Sequence, residues 1–116
     1  MKNDEVVNST SKYIVKTTGK GSETNQELVD ANKLIEGTDG SKVSLIECYY
    51  VIESVGSTAG KLTISTDSEG SDLILTNSGK YGLRPEQLKF GDDKIFKLTT
   101  DFNVRSYLLV TEFRRN

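Results

Sequence analysis

Residues 42–54, "KVSLIECYYVIES", form the most apolar segment of this 116-residue chain and decide its fold class. The segment is rich in β-branched and aromatic residues, which predicts a β-strand. Its apolar residues occupy consecutive positions, so they fall on both faces of that strand. The stretch "YLLVT" at 107–111 has the same character. We therefore expect both strands to be central in a sheet or covered by a second surface.

Clusters of Gly, Ser, Asn and Asp divide the rest of the chain into short segments, a punctuation typical of β-sandwiches and barrels. Leu62 and Ile64 alternate with polar residues, as in a strand with one face buried and the other exposed to solvent. Residues 57–60 and 68–71 are predicted to be hairpin connections on either side of that strand. The predicted fold is an all-β, antiparallel, jelly-roll-like sandwich of about seven or eight strands. The predicted strand segments are "KYIVKTT", "ELVDANKLI", "KVSLIECYYVIES", "KLTISTD", "DLILT", "KIFKLTT" and "RSYLLVTEF".

Two segments are also compatible with a helix. Residues 26–35, "QELVDANKLI", fit a period of 3.6, but the polar interruption at 30–32 favours strand, turn, strand. Pro85 is the only proline, and the acidic and amide residues that follow it suit the first turn of a helix. We expect one short helical turn near residues 85–88.

Length and composition predict one domain with a flexible extension. Residues 1–10 are polar and without periodicity, so we expect a mobile N-terminal arm followed by a single β-sandwich domain over 11–116.

The net charge of −2 gives no positive field for nucleic acid or an anionic membrane. No apolar run approaches membrane-spanning or signal-peptide length, so we expect synthesis and retention in the cytoplasm. Cys48 is the only cysteine, which excludes an intrachain disulfide.

The pair Gly19 and Lys20, followed by Gly21, raises the question of a phosphate-binding loop. A P-loop needs a first glycine five residues before its Gly-Lys pair and a Ser or Thr after it. Ile14 and Gly21 occupy those two positions. We therefore interpret the two glycines as a bend between strands, since glycine tolerates positive φ.

The sequence offers no recognisable catalytic or metal-binding constellation. It contains no histidine, which excludes Ser-His and Cys-His nucleophile pairs. Residues 67–72 and 91–94 are rich in oxygen ligands but lack the spacing of a calcium loop. Glu47 and Glu53 are interpreted as the wet face of their strand, although paired carboxylates for a hydrolase remain open. We predict no enzymatic activity, no metal and no cofactor.

The aromatic residues and the lone thiol have two possible uses each. Cys48 is expected to be buried in the core rather than reactive. Tyrosine side chains could stack on a sugar or a base, but packing is the default, because the sequence has no tryptophan and no basic-aromatic interleaving. The tyrosines concerned are Tyr49, Tyr50, Tyr81 and Tyr107.

The order of segments resembles small virion structural proteins of tailed bacteriophages. The segments that carry the likeness are "LVDANKLI", "SLIECYYVIES", the hairpin "GKLTIST…SDLILTNSGKYGL" and the apolar last strand "RSYLLVTEFRR". Capsid decoration, or cement, proteins and related head proteins have this layout, and the likeness covers residues 12–114 in outline. It implies a non-enzymatic protein of the virion, assembled in the host cytoplasm, that binds and stabilises the assembled head.

On this reading the partner is the major capsid protein or another virion protein. We also expect a homo-oligomer, with a trimer as the guess, since strands that are apolar on both faces suggest further contacts. The predicted partner-binding residues are Lys2, Asn3, Val6 and Val7 in the arm, Tyr81, and Arg114 and Arg115 near the C-terminus. The alternative is a carbohydrate- or surface-binding sandwich module of a fibre or cell-surface assembly that uses Tyr81 and the polar loops.

Overall fold

The structure, a computed structural model, describes residues 1–66, 72–82 and 92–115. These residues contain ten strands and one short 3₁₀ helix. The strands are β1 (Lys2–Asn8), β2 (Lys12–Lys20), β3 (Glu23–Asp30), β4 (Val43–Ser54), β5 (Lys61–Thr66), β6 (Leu73–Thr76), β7 (Ser78–Tyr81), β8 (Asp92–Asp93), β9 (Ile95–Thr100) and β10 (Val104–Arg115), and the helix is Ala31–Lys33.

The strands form two antiparallel sheets that face each other. The six-stranded sheet has the order β1-β2-β10-β4-β7, with β8 also paired to β4, and the four-stranded sheet has the order β3-β9-β5-β6. The central order β2-β10-β4-β7 opposite β3-β9-β5-β6 is that of a jelly roll, in which the chain crosses repeatedly between the two sheets. The prediction of an all-β, jelly-roll-like sandwich is confirmed, and so is the central place of the two most apolar strands.

Within this fold, the chain around residues 26–35 is a strand followed by a turn, not a long helix. β3 ends at Asp30, whose side chain accepts a hydrogen bond from the backbone N–H of Asn32 at 3.0 Å and so caps the 3₁₀ helix. The second strand predicted for this segment is wrong, because Leu34 and Ile35 lie in the irregular connection to β4. The helical turn predicted near residues 85–88 lies outside the described residues.

The prediction that residues 1–10 form no structural element is wrong. β1 pairs with β2 along the edge of the six-stranded sheet, with a bulge at Val6. Apolar periodicity was absent because this strand is held by its backbone and by polar anchors. Asn3 accepts a hydrogen bond from the Thr17 hydroxyl at 2.6 Å and donates to the carbonyl of Glu27 at 3.1 Å. An edge strand of this kind buries almost no apolar side chain, so hydropathy does not reveal it.

Two predicted connections have different outcomes. Residues 57–60 do not join a hairpin, because β4 and β5 belong to different sheets and the segment crosses between them. β5 and β6 do pair antiparallel, as predicted, although most of the residues between them lie outside the described ranges.

The expected glycine bend lies at Gly21, with φ of +65°, where the chain passes from one sheet to the other. Gly19 is instead a strand residue that leaves room for the ring of Tyr107.

The core lies between the inward faces of the two sheets. Phe113 of β10 is fully buried and touches Phe96 of the opposite sheet, with ring centroids 5.0 Å apart in an edge-on arrangement. It also packs near Tyr13 of the neighbouring strand at 6.4 Å. Leu62 and Ile64 are fully buried, which confirms the predicted dry face of β5. Aromatic contact across the gap therefore fixes how the two sheets face each other.

Replacing Phe113 with alanine is expected to lower the free energy of unfolding by about 3–5 kcal/mol, because a large cavity opens between the sheets. Urea denaturation followed by circular dichroism measures the change. Ile74→Ala is the control, since Ile74 is more than half exposed and should cost under about 0.5 kcal/mol. Equal losses for both variants would contradict the assignment of Phe113 to the core.

At Thr111, by contrast, a substitution is expected to stabilise the fold. Its side chain is fully buried opposite Cys48, and its hydroxyl has no hydrogen-bond partner in the part of the chain that the structure describes. A buried hydroxyl without a partner costs desolvation energy. The nearly isosteric change Thr111→Val should therefore raise the free energy of unfolding by about 1 kcal/mol in the same urea experiment. A clear loss of stability would show that the hydroxyl has a partner in solution.

Candidate functional site

The outer face of the six-stranded sheet carries a group of apolar side chains at its centre. On β10 and β4 the residues between the buried ones point away from the core, and Leu108 is paired with Val51 and Val110 with Tyr49. Tyr49 and Val51 are each about half exposed. We call these four residues, Leu108, Val110, Tyr49 and Val51, the apolar cluster.

The outer face of the four-stranded sheet is different. On β5 and β9 the outward positions are polar or charged except for the partly buried Ile95, the others being Lys61, Thr63, Ser65, Lys97 and Thr99. The exposed Ile74 lies alone on the edge strand β6. One sheet therefore has a solvated outer face of ordinary composition, whereas the other presents contiguous apolar side chains. An exposed apolar patch with a polar rim is typical of a protein-interaction surface.

Basic residues lie on both sides of the apolar cluster. The outer face of β2 carries three lysines, Lys12, Lys16 and Lys20, which are four residues and about 13 Å apart. None of them forms a salt bridge with a described residue. We call these three residues the lysine stripe. On the opposite side Lys80 lies 4.7 Å from the ring centroid of Tyr49 and 3.6 Å from Glu47. These two neighbours, Tyr49 first, raise the pKa of Lys80, which stays charged.

A second exposed apolar area lies at the end of the sandwich where β4 and β9 end. Phe102 is 80% exposed at the tip of the turn between β9 and β10, and Val55 beside it is 56% exposed. The turn is held firmly, because the Asp101 carboxylate accepts hydrogen bonds from the backbone N–H groups of Asn103 at 3.0 Å and Lys61 at 3.2 Å. The backbone N–H of Val55 donates to the carbonyl of Asn103 at 2.8 Å. We call Val55 and Phe102 the apolar tip.

The connection from β3 to β4 forms a third feature at the other end of the sandwich. Ile35 is about half exposed, and the exposed carboxylates of Glu36 and Asp39 follow it. Glu36 has a φ of +55°, a conformation that non-glycine residues adopt uncommonly. We call residues 35–39 the acidic turn. Neither carboxylate forms a salt bridge with a described residue.

The surface also has a cavity of about 560 Å³ between β1 and the ends of β2 and β10. The carboxylate of Glu23 lies at its base, where it accepts a hydrogen bond from the Tyr107 hydroxyl and lies 2.7 Å from the amino group of Met1. Burial and this carboxylate raise the pKa of Tyr107, so the phenol remains a donor. Glu23 and the Met1 amino group are paired with each other, and the arrangement joins the start of the chain to β3, while Lys2 and Lys20 also line the cavity.

The structure separates the predicted partner-binding residues into distant places. Lys2, Val6 and Val7 lie on β1 at one edge of the six-stranded sheet, and Val6 is 61% exposed at the bulge. The Asn3 side chain is hydrogen-bonded to the Thr17 hydroxyl and to the Glu27 carbonyl. Tyr81 lies on the opposite edge strand, paired with Cys48, and is partly packed on the core.

The two C-terminal arginines, which were also predicted to bind a partner, lie in the last strand. Both belong to β10 and pair with β4. Arg115 donates to the carbonyls of Ser9, at 2.8 Å, and Ile35, so its guanidinium closes one end of the sandwich. Arg114 points outward and is exposed at the lower rim of the outer face, beside Lys12.

The residues considered for chemistry have structural surroundings. Cys48 is fully buried, as predicted, and burial raises the pKa of its thiol to about 12. Glu47 and Glu53 face outward, where Glu47 lies near Lys80 and Glu53 accepts a hydrogen bond from Ser106. No three metal-ligating side chains come together within the described ranges. Residues 67–71 and Gly91, which belong to the two oxygen-rich loops, lie outside those ranges.

Comparison with protein-family models, curated proteins and solved structures gives no match. No helix in the described ranges is long and apolar enough to cross a membrane.

The sequence contained partial signals for these surfaces. Apolar residues on both faces of "LIECYYVI" and "YLLVT" predicted a covered outer face, but not which side chains would meet there. Only the register of β10 against β4 brings Leu108 beside Val51 and Val110 beside Tyr49. The apolar tip was missed because Phe102 is a single aromatic residue in a turn, and no pattern shows that it points outward.

Stability should fall in alkali because buried acids must ionise on unfolding. The thiol pKa of Cys48 is raised from 9.0 to about 12, and burial, followed by Glu5 and Glu27, raises the pKa of Tyr13 from 10.0 to about 12. Below the unfolded values both groups are protonated in either state, so their contribution is fully present. As the pH rises through the folded values, the unfolded chain loses protons first and stability is lost.

Urea denaturation at a series of pH values measures this loss. For the unmodified chain the free energy of unfolding should begin to fall near the ordinary thiol pKa of 9.0. In a Cys48→Ala variant the fall should begin nearer the ordinary tyrosine value of 10.0. Identical pH profiles for the two proteins would show that Cys48 is not buried as described.

Proposed function

We propose that this chain is a non-enzymatic structural protein of a tailed-phage virion, a capsid decoration protein that binds the assembled head and stabilises it. The observation that carries the proposal is the presence of two separate exposed apolar areas, the apolar cluster and the apolar tip, on one small jelly roll. A protein of this size needs neither area for its own core. Two areas allow it to contact a shell and a neighbouring copy at the same time.

The fold and the buried groups are compatible with this function. Jelly rolls occur in viral capsid domains and in lectins, although a fold does not define a function. The thiol and the most buried tyrosines are held neutral inside the core, and the carboxylates considered for catalysis are solvated or paired. A protein that acts through contact area requires no reactive group. The carbohydrate-binding alternative has less support, since Tyr81 is partly buried and packs against the core beside Cys48.

The apolar tip is the better candidate for the contact with the head. Phe102 projects from a turn whose backbone is fixed by Asp101, so it loses little conformational freedom on binding. Aromatic side chains that enter a pocket of the partner commonly dominate interface energy. A pocket formed between neighbouring shell subunits exists only after assembly. Binding there stabilises the assembled state by mass action.

The test is co-sedimentation with heads assembled from the major capsid protein encoded in the same genome. We expect binding to assembled heads, little binding to unassembled capsid protein, and an increase in the temperature at which the heads disrupt. Phe102→Ser should weaken binding by about 30-fold or more. Ile74→Ser is the matched control, because it removes an exposed apolar residue far from the tip and should bind normally.

Three results would contradict the proposal. They are equal binding to assembled and unassembled capsid protein, normal binding by Phe102→Ser, and the absence of a capsid gene from the genome that encodes this chain. Circular dichroism of both variants shows whether a loss of binding is simply a loss of fold.

A further inference from the structure

The apolar cluster needs an occupant, and the chain itself carries a segment with complementary chemistry. The cluster is apolar at its centre, with the lysine stripe along one side, and none of the three lysines forms a salt bridge with a described residue, although Asp4 is the cross-strand partner of Lys16. The acidic turn is the reverse, since Ile35 is exposed and the carboxylates of Glu36 and Asp39 follow it within four residues. An apolar side chain flanked by acids fits an apolar surface flanked by bases.

This match extends to the distribution of charge over the whole chain. The outward positions of the six-stranded sheet include six basic residues, Lys2, Lys12, Lys16, Lys20, Lys80 and Arg114, and four acidic ones, Asp4, Glu47, Glu53 and Glu112. On these five strands, β8 aside, the outward positions are therefore net positive by two charges, whereas the whole chain has a net charge of −2. The remaining surface must carry the excess of acid, and the acidic turn contributes two members that form no salt bridge with a described residue.

The acidic turn cannot reach the cluster of its own molecule. Its backbone is fixed at one end of the sandwich, where the Ile35 carbonyl accepts from Arg115 and the Ile35 N–H donates to the Asn8 side chain at 3.3 Å. Two further hydrogen bonds, between Gly37 and Leu34 at 2.8 Å and between Ser41 and Thr38 at 2.9 Å, define its shape. A rigid segment that projects from the end of one molecule can meet only the face of another.

We propose that the acidic turn of one copy docks on the apolar cluster of a second copy, with Ile35 against Tyr49 and Val51. In this contact Glu36 and Asp39 lie near Lys16 and Lys20 of the stripe. Because two different surfaces meet, the contact is heterologous, and repeating it produces a closed ring when the rotation between copies closes. The inference does not rest on head binding, which uses the apolar tip.

Three single variants measure the contact through molecular mass by light scattering. Val51→Asp places a charge in the cluster, and Ile35→Asp removes the apolar part of the turn. Each should raise the dissociation constant between copies by about 30-fold or more and give a monomer where the unmodified chain is an oligomer. Ile74→Asp is the control, since it makes the same change at an exposed residue outside both surfaces. Circular dichroism verifies that each variant is folded.

Mixing the two variants identifies the type of contact. The Val51→Asp protein keeps an intact acidic turn, and the Ile35→Asp protein keeps an intact apolar cluster. A one-to-one mixture of two monomeric variants should therefore form a complex of two chains, joined by the single remaining contact. A face-to-face contact between two clusters cannot give this result, and in that case Ile35→Asp alone would keep the mass of the unmodified chain.

A charge exchange tests the register. Lys16→Glu and Glu36→Lys should each weaken association, and the double variant should recover most of it, because the same pair is present with its signs reversed. The proposal is overturned if Ile35→Asp retains the oligomer, if the mixture of variants stays monomeric, or if the unmodified chain is a monomer at every concentration. Head binding in the absence of any oligomer would leave the proposed function standing and remove this inference alone.

Discussion

β10 lies between β2 and β4, and the rest of the structure depends on the alternation of its side chains. Inward, Leu109 and Phe113 fill the core, and Phe113 contacts Phe96 of the opposite sheet. Outward, Leu108 and Val110 form half of the apolar cluster. A slip of one residue in register would exchange these two sets and lose both the core and the surface. The same pairing that holds the sandwich together therefore defines its main exposed face.

The sandwich and most of its strands could be predicted because their apolar residues alternate or run continuously. β5 is the simplest case, since Leu62 and Ile64 are fully buried and Thr63 between them is not. β1 could not be predicted in this way. Its side chains bury almost nothing, and it is held by backbone pairing and by the amide of Asn3. β7 is absent from the predicted strands because "SGKY" is polar, and the turn before it is made by Asn77, with φ of +62°.

The candidate surfaces were predictable only in part, for a similar reason. The sequence indicated excess apolar character in two strands but not the neighbours that register would give them. The sequence also favoured charged and terminal residues as contacts with a partner, whereas the side chains of Asn3 and Arg115 donate hydrogen bonds to backbone carbonyls of their own chain. The more informative signs are exposed apolar side chains on fixed backbone, as at Phe102 and Ile35, and these become visible only once burial and hydrogen bonding are known.

The proposed assembly requires the outer face of the six-stranded sheet to be a contact surface rather than a solvated one. The most direct measurement is the mass of the unmodified chain in solution, by light scattering over a wide range of concentration. We predict a single closed oligomer whose mass is a fixed multiple of 12.8 kDa and which dissociates only on dilution. A monomer at every concentration would contradict the account and would leave the apolar cluster without an occupant from this chain.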